Sequence, residues 1–172
     1  MADRFRSLFS FPDPVNEVAA RTVAAGVVVM ATAAMAADVR WLLIPLAYGF
    51  WARVLTGPRM SPLGQLATRV VVPRLPYAPR PTPGPPKRFA QAMGVAFTSA
   101  AVVVWVSAGW ATARWLLVPL DGAAVLEAAF GICLGCRVFS ALMRIGVIPE
   151  SVCPECADLR RRHPVLAGPD AS

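Results

Sequence analysis

Four long apolar stretches, separated by short groups of charged residues, constrain this chain more than any other feature. They cover residues 18–37, 41–56, 89–112 and 115–145, and the 172-residue chain is 56% hydrophobic but only 16% charged. An average soluble domain carries about 25% charged residues. A helix of about 20 residues, rising about 1.5 Å per residue, spans the roughly 30 Å hydrocarbon layer of a bilayer. The sequence therefore predicts an all-α membrane protein with four transmembrane helices.

A short internal repeat relates the two halves of the chain. RWLLIPL at 40–46 recurs as RWLLVPL at 114–120, an offset of 74 residues. Self-similarity at a fixed period is an architectural signal. The alternative is that apolar sequence repeats by chance and that Trp with Arg is a common interface anchor. We predict two parallel-repeat hairpins, at residues 18–56 and 89–145.

Three polar segments flank these hairpins. They are a cytoplasmic N-terminal arm, a central cytoplasmic loop and a Cys-containing cytoplasmic tail, at residues 1–17, 57–88 and 146–172. In the loop, Ser61 and Pro62 are typical of a helix N-cap and first helical position. The apolar spacing that follows predicts a short amphipathic helix at 61–72 on the membrane surface. A proline-rich linker completes the loop.

The distribution of basic residues predicts the orientation. Of the 17 Lys and Arg residues, 15 lie at residues 1–21, at 53–88 or from 137 onward, and only Arg40 and Arg114 lie in the short turns. Cytoplasmic segments carry an excess of Lys and Arg. We therefore expect a multi-pass protein with both termini in the cytoplasm. Because the basic residues are scattered among helix ends, the expected partner is the lipid bilayer and not nucleic acid, despite a net charge of +7.

Two ionisable residues, Arg53 and Glu127, lie inside the predicted transmembrane stretches at positions that the repeat makes equivalent. A charge at the bilayer centre costs about 2.5–3.5 kcal/mol on insertion scales. An intramembrane ion pair between Arg53 and Glu127 would relieve both charges. The alternative is that Arg53 extends to the cytoplasmic interface and that Glu127 is protonated or hydrogen-bonded.

Four cysteines form two CxxC motifs. Cys133 and Cys136 lie late in the fourth stretch, and Cys153 and Cys156 lie in the tail. The spacing C-x2-C-x16-C-x2-C falls in the range typical of a four-cysteine zinc site. One interpretation is therefore a structural zinc ion held by all four thiolates, for which the tail must fold back.

A competing interpretation is thiol-redox or sulfur chemistry. Residues three apart share a helix face, so Cys133 and Cys136 would be neighbours that can form a disulfide or hold a persulfide. Cys153 and Cys156 would exchange with that pair or with a soluble partner. A permanent structural disulfide is not expected in the reducing cytoplasm. A third interpretation is packing alone, because buried cysteine often acts as a small hydrophobe.

The chain resembles a family of bacterial integral membrane proteins known as domain of unknown function 4395. The resemblance lies in DPVN at 13–16, GPRMSPLGQLATRVV at 57–71, PPKRFAQAMG at 85–94 and LEAAFGICLGCRVFSALMRIG at 126–146. It implies a multi-helix protein of the bacterial inner membrane, with no established activity. It also implies association with rhodanese-like or thioredoxin-like proteins, which favours sulfur or thiol chemistry at the first CxxC motif.

Three functions are expected from these features. The leading hypothesis is a thiol-redox or sulfur-handling membrane protein with a soluble cytoplasmic partner, in which Cys133 and Cys136 react. The second is a non-enzymatic membrane anchor whose zinc-stabilised tail docks another protein. The third is a small transporter using Arg53 and Glu127, which would need a homodimer because four helices are few for a substrate path.

Overall fold

Helices dominate the computed structural model, which describes residues 11–76, 80–154 and 156. Most of the predicted N-terminal arm and most of the predicted tail, including His163, lie outside the described residues. The helices are α1 (Glu17–Ala36), α2 (Leu43–Thr56), α3 (Pro62–Leu66), α4 (Gly84–Ala108), α5 (Trp110–Ala113), α6 (Leu117–Phe130) and α7 (Leu134–Arg144). Two short antiparallel strands, β1 (Val15–Asn16) and β2 (Pro81–Thr82), join the starts of α1 and α4.

Two of the described helices, α1 and α4, are long and apolar enough to cross a membrane. A third span is obtained if Trp110–Phe130 and Leu134–Arg144, which meet at an angle of 98°, are counted as one broken segment. The outward faces of these helices and of α2 carry exposed apolar side chains, which are Val29, Ile44, Val103, Val106, Val118 and Val125. An apolar exterior of this kind indicates a membrane protein. Four crossings remain a prediction, because α2 has only 14 residues.

The helices pack through small residues. Helix α1 packs against α6, and α2 packs against α4. Ala31, Ala34 and Ala101 are fully buried at these contacts. At Gly94, a Cβ atom would lie 2.2 Å from the ring of Phe50, so only glycine lets this ring reach the backbone of α4. Small residues that let backbones approach closely are typical of helix packing in membranes.

The segment before α1 also fixes the start of α4. Asn16 caps α1 by accepting a hydrogen bond from the backbone of Val18 at 3.0 Å. Asp13 accepts one from the backbone N–H of Gly84 at 2.9 Å. Helix α4 therefore begins at Gly84 and not at residue 89, which corrects the end of the predicted linker. The prolines of this segment fit the first turn, whose N–H groups need no intrahelical partner.

The two copies of the repeat adopt the same local structure. Each begins with a 3₁₀ turn, Arg40–Leu42 or Arg114–Leu116, and continues as a helix of 14 residues. Trp41 and Trp115 are both about two-thirds exposed, at 68% and 66%. This local likeness agrees with the repeat, and the arrangement of two duplicated hairpins stays a prediction.

Ser61 caps α3 by accepting a hydrogen bond from the backbone of Gly64 at 3.2 Å, as the sequence predicts. The chain continues as a π-helical turn, Ala67–Val71, and a 3₁₀ turn, Val72–Arg74. Helical structure thus covers the predicted 61–72 segment, and its position on the membrane surface stays a prediction.

The last apolar stretch is not one helix, contrary to the prediction for 115–145. Helix α6 ends at Phe130, where Gly131 takes the left-handed conformation with φ of 70°. Glycine adopts this conformation without the steric penalty of a side chain, which makes it a common helix terminator. A new helix, α7, begins after Cys133 and runs at 98° to the preceding segment. This break places the first CxxC motif at a helix start.

Candidate dithiol site

Cys133 is the N-cap residue of α7. Its Sγ accepts a hydrogen bond from the backbone N–H of Cys136 at 3.4 Å. Cys133 is buried, Cys136 is partly buried, and both are free thiols. The first residues of a helix present unpaired N–H groups and a partial positive charge. A thiolate at position 133 is therefore stabilised by the helix that follows it.

The two thiols of this dithiol site occupy different positions on α7. Cys133 is the N-cap, and Cys136 lies one helical turn later, with its backbone N–H bonded to the sulfur of Cys133. Low-pKa cysteines at helix N-termini and in CxxC motifs are the reactive ones. The arrangement therefore places a thiol at a helix N-terminus, one turn from a second thiol.

Neighbouring helices hold the start of α7 in place. A Cβ atom on Gly135 would lie 2.5 Å from the Cβ of Ala90, so glycine allows α7 to contact the backbone of α4. Arg21 of α1 donates hydrogen bonds to the carbonyls of Ala128 and Ala129 at 2.8–3.2 Å. These carbonyls belong to the last turn of α6, which has no intrahelical donors for them. The glycine inside the CxxC motif and the arginine of α1 together fix the bend that places Cys133 at a helix start.

A cavity of about 230 Å³ adjoins the site, between α1, α2, α4 and α6. Its walls are mainly apolar, with Phe50, Phe97 and Leu120 among the larger side chains. The polar and ionisable residues that line it are Arg53, Gln91, Glu127 and Cys133. The cavity therefore brings one thiol of the dithiol together with both predicted intramembrane charges.

Glu127 forms an ion pair with Lys87 in this structure and not with Arg53. The Nζ atom of Lys87 lies 2.5 Å from Oε1 of Glu127, and both side chains are largely buried, at 9% and 15% exposed. Arg53 instead donates to Gln91 Oε1 at 2.8 Å and to Ser61 Oγ at 3.2 Å. The predicted partners thus line one cavity, but the described ion pair of Glu127 is to a different cation.

The ion pair lies beside the dithiol site, because Glu127 and Cys133 line the same cavity. Sequence reasoning missed Lys87, because the adjacent prolines placed it in a linker.

The second CxxC pair is separate from the first and is oxidised. Cys153 and Cys156 form a disulfide. Cys153 packs against Phe139 and Met143, on the later turns of α7. The tail therefore folds back through Gly146, whose φ is 77°. Within residues 11–76, 80–154 and 156, no group of three or more His, Cys, Asp or Glu residues is arranged to hold a metal. The four-cysteine zinc site stays a prediction.

Ser61 and Gln91, which position Arg53, were likewise not predicted as site residues. Ser61 was predicted only as a cap, and Gln91 lies one turn after Lys87 on α4. For Gln91, the available signal was a polar side chain inside an apolar stretch, because such side chains are usually functional or paired.

The comparisons with known proteins assign a family. A family model described as Domain of unknown function (DUF4395) matches residues 15–144, about three-quarters of the chain. The chain belongs to the DUF4395 family. The match to DUF4395 includes Cys133 and Cys136 and ends before Cys153. No curated protein and no solved structure gives a significant match. The family description states no activity, so function is argued from the dithiol site.

Proposed function

We propose that this DUF4395 protein is a membrane thiol–disulfide exchange protein that reacts through Cys133. The observation that carries the proposal is the position of Cys133 as the N-cap of α7, with Cys136 hydrogen-bonded one turn later. Such a cysteine combines a stabilised thiolate with a second thiol within reach. Gly135 and Arg21 hold the start of α7 in place, and this fixed position of the two thiols supports the proposal.

The reaction has two steps. The Cys133 thiolate attacks one sulfur of a partner disulfide, forming a mixed disulfide and breaking the partner S–S bond. The electron pair of that bond leaves on the second partner sulfur, which takes the proton of Cys136. The Cys136 thiolate then attacks the sulfur of Cys133 and displaces the other partner thiolate, which is protonated by water. The protein dithiol is oxidised by two electrons, and the partner disulfide is reduced to two thiols.

The tail pair is the second redox centre of the proposal. Cytoplasmic disulfides are usually transient and catalytic or redox-sensing. The Cys153–Cys156 disulfide packs on the same helix that Cys133 caps. We assign to it exchange with the soluble partner, which is a thioredoxin-like or rhodanese-like protein. With a rhodanese-like partner that carries a persulfide, the Cys133 thiolate would attack the outer sulfur of that persulfide. The new S–S bond forms on Cys133, the partner S–S bond breaks, and its electron pair leaves on the partner thiolate.

The proposed setting is the bacterial inner membrane, with four crossings and both termini in the cytoplasm. The Lys and Arg distribution supports this orientation. Reporter fusions after residues 76 and 172 should give cytoplasmic signals, and insertions at the turns beginning at Arg40 and Arg114 should give periplasmic signals. A periplasmic signal from either fusion would contradict the topology.

A trapping experiment tests the exchange function. Cys153 and Cys156 are first replaced by serine, and the full chain is then treated with a soluble aromatic disulfide as the probe. In that background, Cys136→Ser should accumulate a mixed disulfide on Cys133, because the second thiol is missing. Cys133→Ser should not, and the parent with both thiols should release two equivalents of aromatic thiol.

The matched control is the double Cys133→Ser/Cys136→Ser variant, which should release none. Reaction of Cys133→Ser at the same rate as the parent would overturn the proposal. Mass spectrometry of the same samples reports added sulfur atoms and bound zinc. Stoichiometric zinc lost on replacement of any one cysteine would favour the docking protein instead.

A further inference from the structure

Arg53 is a buried guanidinium whose hydrogen bonds are incomplete. The side chain is only 4% exposed, at the level of the α2 C-terminus. Its Nε donates to Gln91 at 2.8 Å, its Nη1 donates to Ser61 at 3.2 Å, and its Cζ lies 4.4 Å from the ring centroid of Phe50. Within the described residues, Nη2 has no partner. Buried polar groups are nearly always hydrogen-bonded, so this atom requires an explanation.

Within the described residues, the charge of Arg53 also has no carboxylate in direct contact. The carboxylate that lines the same cavity, Glu127, is bound to Lys87 at 2.5 Å. Arg53 is the one described Lys or Arg residue that lines this cavity. An uncompensated buried charge is strongly unfavourable. An anion in the cavity would give Arg53 both the hydrogen-bond partner and the opposite charge that it lacks.

The space beside Arg53 is large enough for such a ligand. The cavity measures about 230 Å³. A single water needs roughly 10–15 Å³ on a comparable measure. Nη2 carries two N–H donors, and guanidinium N–H groups bind the oxygens of carboxylates and phosphates with directed, charge-assisted hydrogen bonds. Ser61 and Gln91 hold the other nitrogens in position. Nη2 is itself buried, so a ligand in the cavity contacts it after a small shift of the side chains around it.

We propose that this cavity binds an oxyanion group on Nη2 of Arg53. The group belongs either to a small free anion or to the phosphate of a lipid headgroup. Anion binding at Arg53 does not depend on the thiol chemistry. Because Cys133 also lines this cavity, a bound anion would occupy space beside that thiol and restrict access to it.

Thermal unfolding of the full chain in a neutral detergent tests for a free anion. Sodium sulfate and sodium phosphate are titrated at an ionic strength held constant with sodium chloride. The unfolding temperature of wild type should rise and saturate, as for a ligand that binds only the folded state. Arg53→Gln should weaken the apparent affinity by about tenfold to a hundredfold, the range expected for a hydrogen bond to a charged group.

Arg114→Gln is the matched control, because Arg114 is exposed in the opposite turn. It should behave as wild type. Sulfate stabilises many proteins without binding, so an equal rise in wild type and both variants counts as non-specific. An equal effect of chloride alone would also contradict an oxygen-anion site.

A lipid arm distinguishes the source of the oxyanion. Native mass spectrometry compares wild type and Arg53→Gln in micelles containing phosphatidylglycerol or phosphatidylcholine. Retention of one phosphatidylglycerol by wild type, reduced at least tenfold in Arg53→Gln, assigns the site to a headgroup. If neither free anions nor phosphatidylglycerol depend on Arg53, the proposal fails.

Arg53→Lys keeps the experiment decisive if Arg53→Gln does not fold. Lysine retains the charge but lacks Nη2, so it should bind more weakly than wild type. A second measurement is the alkylation rate of Cys133 by iodoacetamide. Saturating oxyanion or phosphatidylglycerol should slow it in wild type and not in Arg53→Lys, and an unchanged wild-type rate would exclude a ligand in this cavity.

Discussion

Helices α2 and α6 have the same length and the same kind of ends, but they lead into chemically different sites. Each has 14 residues, follows an Arg-Trp-Leu turn, and ends at a glycine with positive φ, Gly57 or Gly131. The next helix is capped by a hydroxyl in the first case, from Ser61, and by a thiol in the second, from Cys133. One scaffold thus carries a hydroxyl cap at one place and a thiol cap at the other.

The equivalent charges on these helices also differ in their partners. Arg53 contacts the cap residue Ser61 of its own half, whereas Glu127 pairs with Lys87 of α4. The first half therefore presents a positive donor to the cavity, and the second half presents a neutralised carboxylate beside a thiol. The two halves therefore contribute different groups to one cavity: a guanidinium from the first half, and a carboxylate and a thiol from the second.

The largest expected effect comes from breaking the Lys87–Glu127 pair. Lys87→Met should destabilise the protein by about 3–5 kcal/mol, because the buried carboxylate loses its cation. Adding Glu127→Gln should recover much of this loss, since no uncompensated charge remains. The free energy of unfolding in a denaturing detergent is measured for wild type, each single variant and the double variant.

The same cycle with Arg53→Met in place of Lys87→Met decides which cation Glu127 uses. We expect weaker coupling, because Arg53 contacts Gln91 and Ser61 instead of the carboxylate. Coupling to Arg53 that exceeds coupling to Lys87 would restore the pair predicted from the repeat.

The next effect concerns Gly135, where the second half departs from the first. Gly135→Ala should destabilise the protein by about 1–3 kcal/mol, since its Cβ would lie 2.5 Å from that of Ala90 and overpacking displaces α7. Gly122→Ala is the matched control, because no atom lies within 4 Å of its added Cβ. That change should stabilise helix α6 by up to about 1 kcal/mol. Equal losses from both variants would refute the close contact between α7 and α4.

Much of the fold could be predicted because apolar length and helix caps are local signals. The stretches leading to α1 and α4, and the Ser61 cap, needed only neighbouring residues. The break at Gly131 was less accessible, because a glycine inside a long apolar stretch is tolerated in transmembrane helices. Its equivalence to Gly57 across the repeat offset was the available clue.

The candidate site was predicted only in part, because its contacts are distant along the chain. Cys133 and Cys136 could be selected from their spacing alone. The partner of Glu127 could not be, because Lys87 follows two prolines that suggested an extended linker. Lys87 can reach Glu127 because α4 already begins at Gly84. The hydrogen bond from the backbone N–H of Gly84 to Asp13 sets this start.

A smaller effect should distinguish the two caps. Cys133→Ala removes the acceptor for the Cys136 backbone N–H and should cost about 1 kcal/mol, whereas Cys133→Ser keeps an acceptor and should cost less. Ser61→Ala should cost at least as much as Cys133→Ala, because Ser61 also binds Arg53. Unfolding free energies of the three variants test the order. A Cys133→Ser loss as large as that of Cys133→Ala would mean that residue 133 does not cap α7.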